Sequence, residues 1–241
     1  MTSDARFAEE HRSDRSPGSI DCKFDALLFD FDGVLIESEY AGNRQIADYL
    51  TGIGHPTSPE ESMAHFMGLA GPDFHAAIER WIGGPIPDSF HAARRIEDER
   101  AMREGVGEVA GAVAFVRSLP SALPKAIVSS SGTAWIRRHL DHIGLADAFG
   151  DHIYSGREHV ERGKPAPDLY MFGAARLNVA IERCAIIEDS PVGATSAVAS
   201  GAFVIGLVAG RHCGPDHFDR LRAIGVAAVA TDFEEAACLL A

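Results

Sequence analysis

The sequence predicts an α/β protein whose core is a doubly wound parallel sheet, interrupted after its first strand by an all-helical insertion. Short apolar runs alternate with helical patterns over most of the 241 residues, which is typical of a parallel sheet covered by helices on both faces. Between residues 38 and 106, in contrast, no segment has a convincing strand pattern. Hydrophobic residues make up 46% of the chain, which is enough for a sizeable core.

The first predicted strand is the apolar run 26–29, which is too short and too apolar for a surface helix. Similar short runs, the last of them weak, predict the remaining strands at 126–128, 152–154, 185–187, 203–205 and 226–229. Apolar residues at helical spacing, bounded by proline or glycine, predict connecting helices at 135–143, 168–177 and 191–199.

Glycine and proline clusters divide the insertion into helical pieces. Two pieces have apolar stripes at helical spacing, around Leu50 and around Ile78, and a third, 88–103, is a long charged helix. The predicted organisation is a flexible N-terminal tail, an α/β core in two segments and the helical insertion, at 1–22, at 23–37 with 107–241, and at 38–106.

Composition excludes several classes of partner. The formal net charge of −13 argues against nucleic acid or an anionic membrane surface as the main partner, although a small anionic substrate remains compatible with it. No apolar run approaches the ~20 residues of a membrane span, and the polar start of the chain lacks the apolar region of a secretory signal. The four cysteines are scattered and form no Cys-x-x-Cys pair, so we expect reduced cysteines in a cytoplasmic protein.

Two aspartates two positions apart follow the first predicted strand. Alternation along a strand would place Asp30 and Asp32 on the same face, and two buried carboxylates are costly unless positive charge lies between them. The pair therefore indicates a cation site, a nucleophile with its acid/base partner, or both. The alternative is that the aspartates only end the strand and begin a turn, which Gly33 would make without steric cost.

Polar motifs follow three further predicted strands. Each has a simpler interpretation when taken alone. The serine motif at 129–132 and the acidic motif at 188–190 could cap helices, and the lysine of the motif at 163–168 could be a solvated loop residue. Because the carboxyl ends of parallel strands meet at one edge of a sheet, their joint occurrence predicts one shared site. The motifs are Ser129-Ser130-Ser131-Gly132, Gly163-Lys164-Pro165-Ala166-Pro167-Asp168 and Glu188-Asp189-Ser190.

Together these motifs resemble those of the haloacid dehalogenase superfamily of phosphotransferases, over about residues 24–206. The stretch 30–35 is similar to the DxDGVL signature of that superfamily, and the run 187–190 with Gly193 resembles β-phosphoglucomutase and small sugar-phosphate phosphatases. The resemblance implies a Rossmann-like core and identifies the insertion as a mobile helical cap. The matches to the second, third and fourth motifs of the superfamily are Ser129, Lys164 and Glu188-Asp189.

The resemblance also implies roles that suit these residue types. Asp30 would be the nucleophile that forms an aspartyl-phosphate. A Mg²⁺ ion would be held by the Asp30 carboxylate, the Asp32 backbone carbonyl and Asp189. Glu188 would add a ligand or hold a metal-bound water.

The remaining implied roles concern proton transfer and the phosphoryl group. Asp32 would protonate the leaving oxygen and then deprotonate the water that hydrolyses the intermediate. Ser129 and Lys164 would bind the phosphoryl oxygens, with the backbone N–H of Ser130. The predicted enzyme is thus a Mg²⁺-dependent phosphatase of a small phosphorylated metabolite, a sugar phosphate, acting as a monomer or weak homo-oligomer.

Three other functions are compatible with parts of this pattern. A phosphosugar mutase would need an arginine in the loop 67–73 and a histidine soon after the first motif, and the sequence has neither. A signalling receiver domain carries its acceptor aspartate and acidic pair on different strands, whereas Asp30 and Asp32 share one. Nothing in the sequence favours a non-catalytic phosphate-binding protein. Arg94 and Arg95 of the charged helix could supply positive charge in place of the missing loop arginine, but the favoured interpretation is a solvated helix face.

Overall fold

The structure, a computed structural model, describes residues 22–69 and 71–241, so the predicted tail, apart from Cys22, lies outside the described residues. The strands are β1 (Ala26–Phe29), β2 (Lys125–Ser129), β3 (Ile153–Ser155), β4 (Cys184–Glu188), β5 (Phe203–Leu207) and β6 (Ala228–Ala230). The helices of the insertion are α1 (Ser38–Gly52), α2 (Pro59–Phe66), α3 (Gly71–Ile82) and α4 (Asp88–Glu104). The other helices are α5 (Ala112–Ser118), α6 (Thr133–His142), α7 (Ala146–Phe149), α8 (Asp168–Arg176), α9 (Pro191–Ser200), α10 (His217–Ile224) and α11 (Phe233–Leu240).

All neighbouring strands of the six-stranded sheet are parallel, in the order β3-β2-β1-β4-β5-β6. β1 lies between β2 and β4, and its four residues are fully buried, which explains its continuous apolar sequence. Leu27 and Phe29 join one hydrophobic cluster, whereas Ala26 and Leu28 join another. Since successive side chains of a strand point to opposite faces, the two clusters cover the two faces of the sheet. The predicted doubly wound fold is confirmed.

The predicted strands are confirmed to within about two residues, and the helices at 135–143, 168–177 and 191–199 correspond to α6, α8 and α9. The sequence analysis did not predict α5, α7, α10 and α11, which have only four to eight residues each. Such short helices span one or two turns, too few for apolar spacing to stand out.

The insertion packs around a hydrophobic cluster of its own, which includes Ile46, Leu50, Phe66, Ile78 and Phe90. As the sequence predicts, the described residues between 38 and 106 form no strand. The two ends of the insertion meet, because the backbone N–H of residue 37 donates to the carbonyl of residue 107 at 2.9 Å. Within the described part of the chain, no helix is both long and apolar enough to cross a membrane.

Candidate active site

The predicted site residues lie where three adjacent strands end. Asp30 follows β1, Ser129 is the last residue of β2, and Glu188 is the last residue of β4. Lys164 lies in the loop between β3 and α8. Because β2, β1 and β4 are neighbours in the sheet, their carboxyl ends lie side by side, and Lys164 reaches the same edge.

Lys164 is the centre of the charge network. Its Nζ donates to Asp30 Oδ1 at 2.6 Å and to Glu188 Oε2 at 2.7 Å, and it lies 4.7 Å from the centroid of the Tyr170 ring. The Lys164 side chain is only 4% exposed, so it is not a solvated loop lysine. Burial lowers the pKa of Lys164, but the charges of Asp30 and Glu188 outweigh this effect and hold the pKa above its ordinary value.

Three buried carboxyl groups surround this lysine. Asp30, Glu188 and Asp189 can each offer one oxygen, and these oxygens lie within 4.8 Å of one another. Burial, followed by the charge of Glu188, raises the pKa of both Asp30 and Asp189 well above the ordinary value. Burial also acts to raise the pKa of Glu188, but Lys164 overcomes it and the pKa is lowered. A single lysine cannot neutralise three carboxylates, so the site calls for additional positive charge.

The oxygens of the acidic pair differ in their partners. Glu188 Oε2 accepts from Lys164 and from the Tyr170 hydroxyl, and its Oε1 accepts from the amide and hydroxyl of Ser190. Asp189 Oδ1, in contrast, is buried without a hydrogen-bond partner among the described residues. A buried oxygen without a partner is costly, and carboxylate oxygens are the ligands that Mg²⁺ prefers. The residues present therefore fit a divalent cation held by oxygen ligands.

Asp32 has different surroundings from Asp30. Its Oδ1 accepts from Ser38 Oγ at 2.7 Å and from Trp135 Nε1 at 3.1 Å. Its Oδ2 accepts from Ser131 Oγ at 2.6 Å and, more weakly, from Ser129 Oγ at 3.4 Å. The Asp32 carboxylate thus faces hydroxyl and indole donors. The group of Asp32 that the sequence analysis assigned to the metal is its backbone carbonyl, not this carboxylate.

The remaining predicted phosphate-binding residue, Ser130, has an exposed side chain beside the buried Ser129. Sequence reasoning missed the contacts that Ser38, Ser131, Trp135 and Tyr170 make with the acidic groups of the site. Ser131 belongs to the hydroxyl motif itself, so the motif contained that signal. Nothing in the sequence pattern distinguishes Trp135 or Tyr170 from apolar positions of their helices.

Two histidines that the sequence analysis did not consider contact Asp189. His212, in the loop after β5, places Nε2 at 2.8 Å from Asp189 Oδ2. His217, the first residue of α10, donates from Nε2 to the backbone carbonyl of Asp189 at 2.6 Å. Both side chains are buried, and burial lowers their pKa. The strand-end rule applied to β5 would have pointed to this loop, because β5 is the neighbour of β4.

Gly33 lets the backbone pass closely over Asp189. Its φ is +80°, and a Cβ atom at this position would lie 2.1 Å from Asp189 Oδ2. The sequence analysis assigned Gly33 to a sharp turn, and the structure adds this close approach as a second reason for glycine.

A cavity of about 300 Å³ lies within the insertion, between α1 and residues 66–69. Ser38, which donates to Asp32, lines it together with Glu39 and Asn43. Arg94 also lines the cavity and donates to the backbone carbonyl of Gly42 at 3.3 Å. Arg94 is therefore half-buried against α1 and does not lie on a fully solvated face, whereas Arg95 is exposed as expected.

A parallel α/β core with a helical insertion after β1, and an Asp-x-Asp motif, a serine, a lysine and an acidic pair at its strand ends, defines a class of phosphoryl-transfer hydrolases. The chain belongs to the family described as "Hydrolase: haloacid dehalogenase-like hydrolase", whose sequence model matches residues 24–201. The predicted family is confirmed.

The similar proteins include enzymes named as phosphatases. Hexitol phosphatase A of Escherichia coli (strain K12) is 32% identical over 187 residues, which cover 76% of this chain and 82% of that protein. The 6-phosphogluconate phosphatase of the same organism is 26% identical, over 80% of this chain and 86% of its own length. A haloacid dehalogenase family hydrolase from Deinococcus radiodurans R1, solved with bound phosphate and sodium, is 34% identical with a TM-score of 0.80, over 91% of this chain and 99% of that one. The chain is accordingly an enzyme of the phosphatase kind.

Proposed function

We propose that this protein is a Mg²⁺-dependent phosphatase that hydrolyses a small sugar phosphate through an aspartyl-phosphate intermediate. The observation that carries the proposal is the position of Asp30 at the end of β1, with Lys164 Nζ at 2.6 Å and the unpartnered Oδ1 of Asp189 in the same carboxylate cluster. A carboxylate can attack an anionic phosphoryl group only where positive charge neutralises both groups. In this site Lys164 supplies one positive charge, and the carboxylate cluster would bind a cation that supplies more.

Asp30 is the proposed nucleophile. One of its carboxylate oxygens forms the bond to phosphorus while the bond from phosphorus to the leaving oxygen breaks. Lys164 stabilises the charge that develops on the phosphoryl oxygens, and Ser129 with the amide of Ser130 binds these oxygens as well. Bound Mg²⁺ would neutralise charge on the phosphoryl group, held by the Asp30 carboxylate, the Asp32 carbonyl and Asp189.

Asp32 is the proposed acid and base. It gives a proton to the leaving oxygen and then takes one from the water that attacks the phosphorus of the aspartyl-phosphate. The hydrogen bonds from Ser38, Ser131 and Trp135 fix the orientation of its carboxylate. Glu188 shares Lys164 with Asp30, and both of its oxygens are hydrogen-bonded. We therefore assign Glu188 the role of orienting Lys164, while its negative charge favours the bound metal.

The insertion, residues 38–106, is proposed to be the cap that recognises the leaving group. It contributes the cavity of about 300 Å³ that begins at Ser38, beside the proposed acid. Glu39, Asn43 and Arg94 give this cavity polar groups that suit the hydroxyls of a sugar or hexitol. The names of the related phosphatases, which refer to hexitols and phosphogluconate, support the same substrate class.

A phosphosugar mutase is the second candidate, and one observation favours it. Arg94 places a cation in the cavity, where a mutase would hold the second phosphate of a bisphosphate. Arg94 is already engaged with Gly42 and Gln45, and the loop 67–73 contains no arginine, so we retain the phosphatase as the proposal.

The test is turnover of a panel of phosphorylated sugars and hexitols with Mg²⁺, followed by release of inorganic phosphate. Asp30→Asn is expected to abolish turnover, whereas Asp25→Asn, which changes an exposed aspartate directly before β1, is expected to retain it. Turnover by Asp30→Asn, with deamidation excluded by mass spectrometry, would overturn the assignment.

To separate the two candidates, a β-hexose 1-phosphate is supplied with a catalytic amount of bisphosphate. The phosphatase releases inorganic phosphate without needing the bisphosphate. Rapid formation of the sugar 6-phosphate with negligible phosphate release would replace the phosphatase by the mutase.

A further inference from the structure

A second cluster of metal-ligating side chains contacts the proposed active site through Asp189. His212 and Cys213 lie in the loop after β5, and His217 begins α10. Each of the three offers one ligand atom, and these atoms lie within 4.8 Å of one another. Both histidines are 3% exposed and Cys213 is partly buried, so the cluster is enclosed by protein and not spread over the surface.

The contacts within this cluster converge on one imidazole nitrogen. His212 Nε2 lies 3.4 Å from Cys213 Sγ and 2.8 Å from Asp189 Oδ2. The other nitrogen of this ring, Nδ1, is buried and has no hydrogen-bond partner among the described residues. The protein thus leaves polar atoms of both His212 and Asp189 unsatisfied at the junction of the two clusters.

The two clusters differ in the chemistry of their donors. Asp30, Glu188 and Asp189 offer only oxygen, which suits Mg²⁺. Two imidazoles and a thiol suit Zn²⁺ and similar cations, which bind nitrogen and sulfur ligands in tetrahedral sites. Asp189 Oδ2, in contact with His212, would supply a fourth ligand. The donor sets predict that the clusters select different metals.

We propose that His212, Cys213 and His217 form a second metal site, specific for Zn²⁺ or a similar thiophilic divalent cation, with Asp189 shared between this site and the proposed Mg²⁺ site. Cys213 binds as the thiolate, and its proton passes to the solvent. A cation in the second site takes Asp189 Oδ2 as a ligand and leaves Oδ1 to Mg²⁺, so both cations can bind. Each cation draws on the charge of the same carboxylate, however, and so weakens the binding of the other. Zn²⁺ is then an inhibitor that acts beside the active site.

The binding test needs no substrate, so its result does not depend on the proposed function. Co²⁺ is added to the wild-type protein in excess Mg²⁺, which keeps the oxygen site filled. We expect a thiolate-to-cobalt charge-transfer band that saturates at one equivalent and disappears when Zn²⁺ is added. Absence of this band, or of one tightly bound Zn²⁺ per chain after dialysis, would overturn the proposal.

Cys213→Ser is the diagnostic variant, since serine keeps the size of the side chain and removes the soft ligand. It is expected to lose the cobalt band and to bind Zn²⁺ at least ~10-fold more weakly. Cys238→Ser is the matched control, because Cys238 is an exposed thiol on α11, and it should bind as the wild type does. Equal Zn²⁺ affinity of Cys213→Ser and Cys238→Ser contradicts the assignment.

The inhibition is tested separately and rests on the proposed function. Each variant is compared with its own rate without Zn²⁺, at a fixed Mg²⁺ concentration. Added Zn²⁺ should inhibit the wild type and Cys238→Ser, with the inhibition relieved as Mg²⁺ is raised, and Cys213→Ser should need at least ~10-fold more Zn²⁺. The same inhibition curve for all three proteins would mean that Zn²⁺ acts elsewhere and would refute the shared Asp189.

Discussion

Asp30 and Asp32 are the same residue type two positions apart, and their surroundings give them different chemistry. Asp30 faces Lys164 and two further carboxyl groups, which suits a nucleophile that needs charge neutralisation. Asp32 accepts hydrogen bonds from hydroxyl and indole donors, which suits a group that must hold and release a proton in a fixed orientation. The environment of each carboxyl group therefore separates the two proposed roles.

The indole of Trp135 is expected to position Asp32 for proton transfer. Trp135→Phe removes the donor at 3.1 Å from Asp32 Oδ1 and keeps an aromatic ring. Loss of a hydrogen bond to a charged acceptor costs ~1.5–3 kcal/mol, and Asp32 keeps its hydroxyl donors, so we expect kcat to fall about 10-fold with little change in KM. The measurement is steady-state kinetics with the best substrate of the panel.

Trp81→Phe is the matched control, because the Trp81 indole donates to Thr57 in the insertion, at 2.8 Å. This variant should lose stability but not kcat. An unchanged kcat in Trp135→Phe, or an equal loss in both variants, would remove Trp135 from the proposed machinery.

Gly33 is expected to be indispensable for a steric reason. In Gly33→Ala the new Cβ would lie 2.1 Å from Asp189 Oδ2, so Asp189 or the backbone must move. We expect loss of most Mg²⁺ affinity, measured by calorimetry, and of most phosphatase activity.

Gly54→Ala separates this collision from backbone strain. Gly54 also has a positive φ, of 95°, but its Cβ would meet no atom within 4 Å. It should cost only ~1–2 kcal/mol of unfolding free energy and leave Mg²⁺ binding intact. Similar Mg²⁺ affinity in the two alanine variants would contradict the close approach at Gly33.

At the scale of elements, the sequence was sufficient for the strands and for the motifs that end them. Strands buried on both faces are continuous apolar runs, and polar residues directly after them stand out. The position of β1 between β2 and β4 is not encoded locally, and the convergence of the motifs was inferred from a general rule of parallel sheets. The contacts of Tyr170 and His212 depend on how α8 and the loop after β5 pack, so no local pattern predicted them.

At the N-terminus of α9, Ser190 both caps the helix and contacts a residue of the site. Ser190 Oγ caps this helix by accepting from the Gly193 amide, and it also donates to Glu188 Oε1 at 2.8 Å. Ser190→Ala should lose ~1 kcal/mol of unfolding free energy through the cap, and lower kcat because Glu188 and its partner Lys164 are held less firmly. Urea denaturation and steady-state kinetics measure the two effects.

Ser58→Ala is the comparison, since Ser58 caps α2 with a full capping box inside the insertion. It should lose a similar unfolding free energy without lowering kcat. If Ser58→Ala lowers kcat as much as Ser190→Ala does, the effect on kcat comes from general destabilisation. That result would refute the idea that Ser190 supports catalysis by holding Glu188 and Lys164.

At the scale of the whole molecule, the insertion has a hydrophobic cluster of its own and also packs onto the core, where Ala101 of α4 joins the core cluster and Arg138 of α6 donates to the carbonyl of Met102. The ends of the insertion are closed by the backbone hydrogen bond between residues 37 and 107. The composition of 38–106 was enough to predict an all-helical insertion, because helical stripes without strands are visible in the sequence. The cavity that Arg94 lines was not predictable, because it depends on the packing of α4 against α1.

The crowded carboxyl groups predict that Mg²⁺ stabilises the entire fold. The cation binds the folded state only, because the three carboxylates come from the residue after β1, from the last residue of β4 and from the residue after β4, and the sheet brings them together. At a Mg²⁺ concentration of about 100 Kd the gain is ~2.7 kcal/mol, which for a domain of this size corresponds to a rise in Tm of about 5–10 °C. The measurement is thermal unfolding after chelation, with Mg²⁺ added back at constant ionic strength.

Asp189→Asn is expected to change the Tm differently without Mg²⁺ and with it. The variant keeps an oxygen that can accept from His212 but removes one acidic group from a buried cluster that a single lysine cannot neutralise. Without metal its Tm should therefore equal or exceed that of the wild type, and with Mg²⁺ its Tm should rise by much less, because a charged ligand is missing. A full Mg²⁺ shift in Asp189→Asn, or no shift in the wild type, would show that this cluster does not bind the cation.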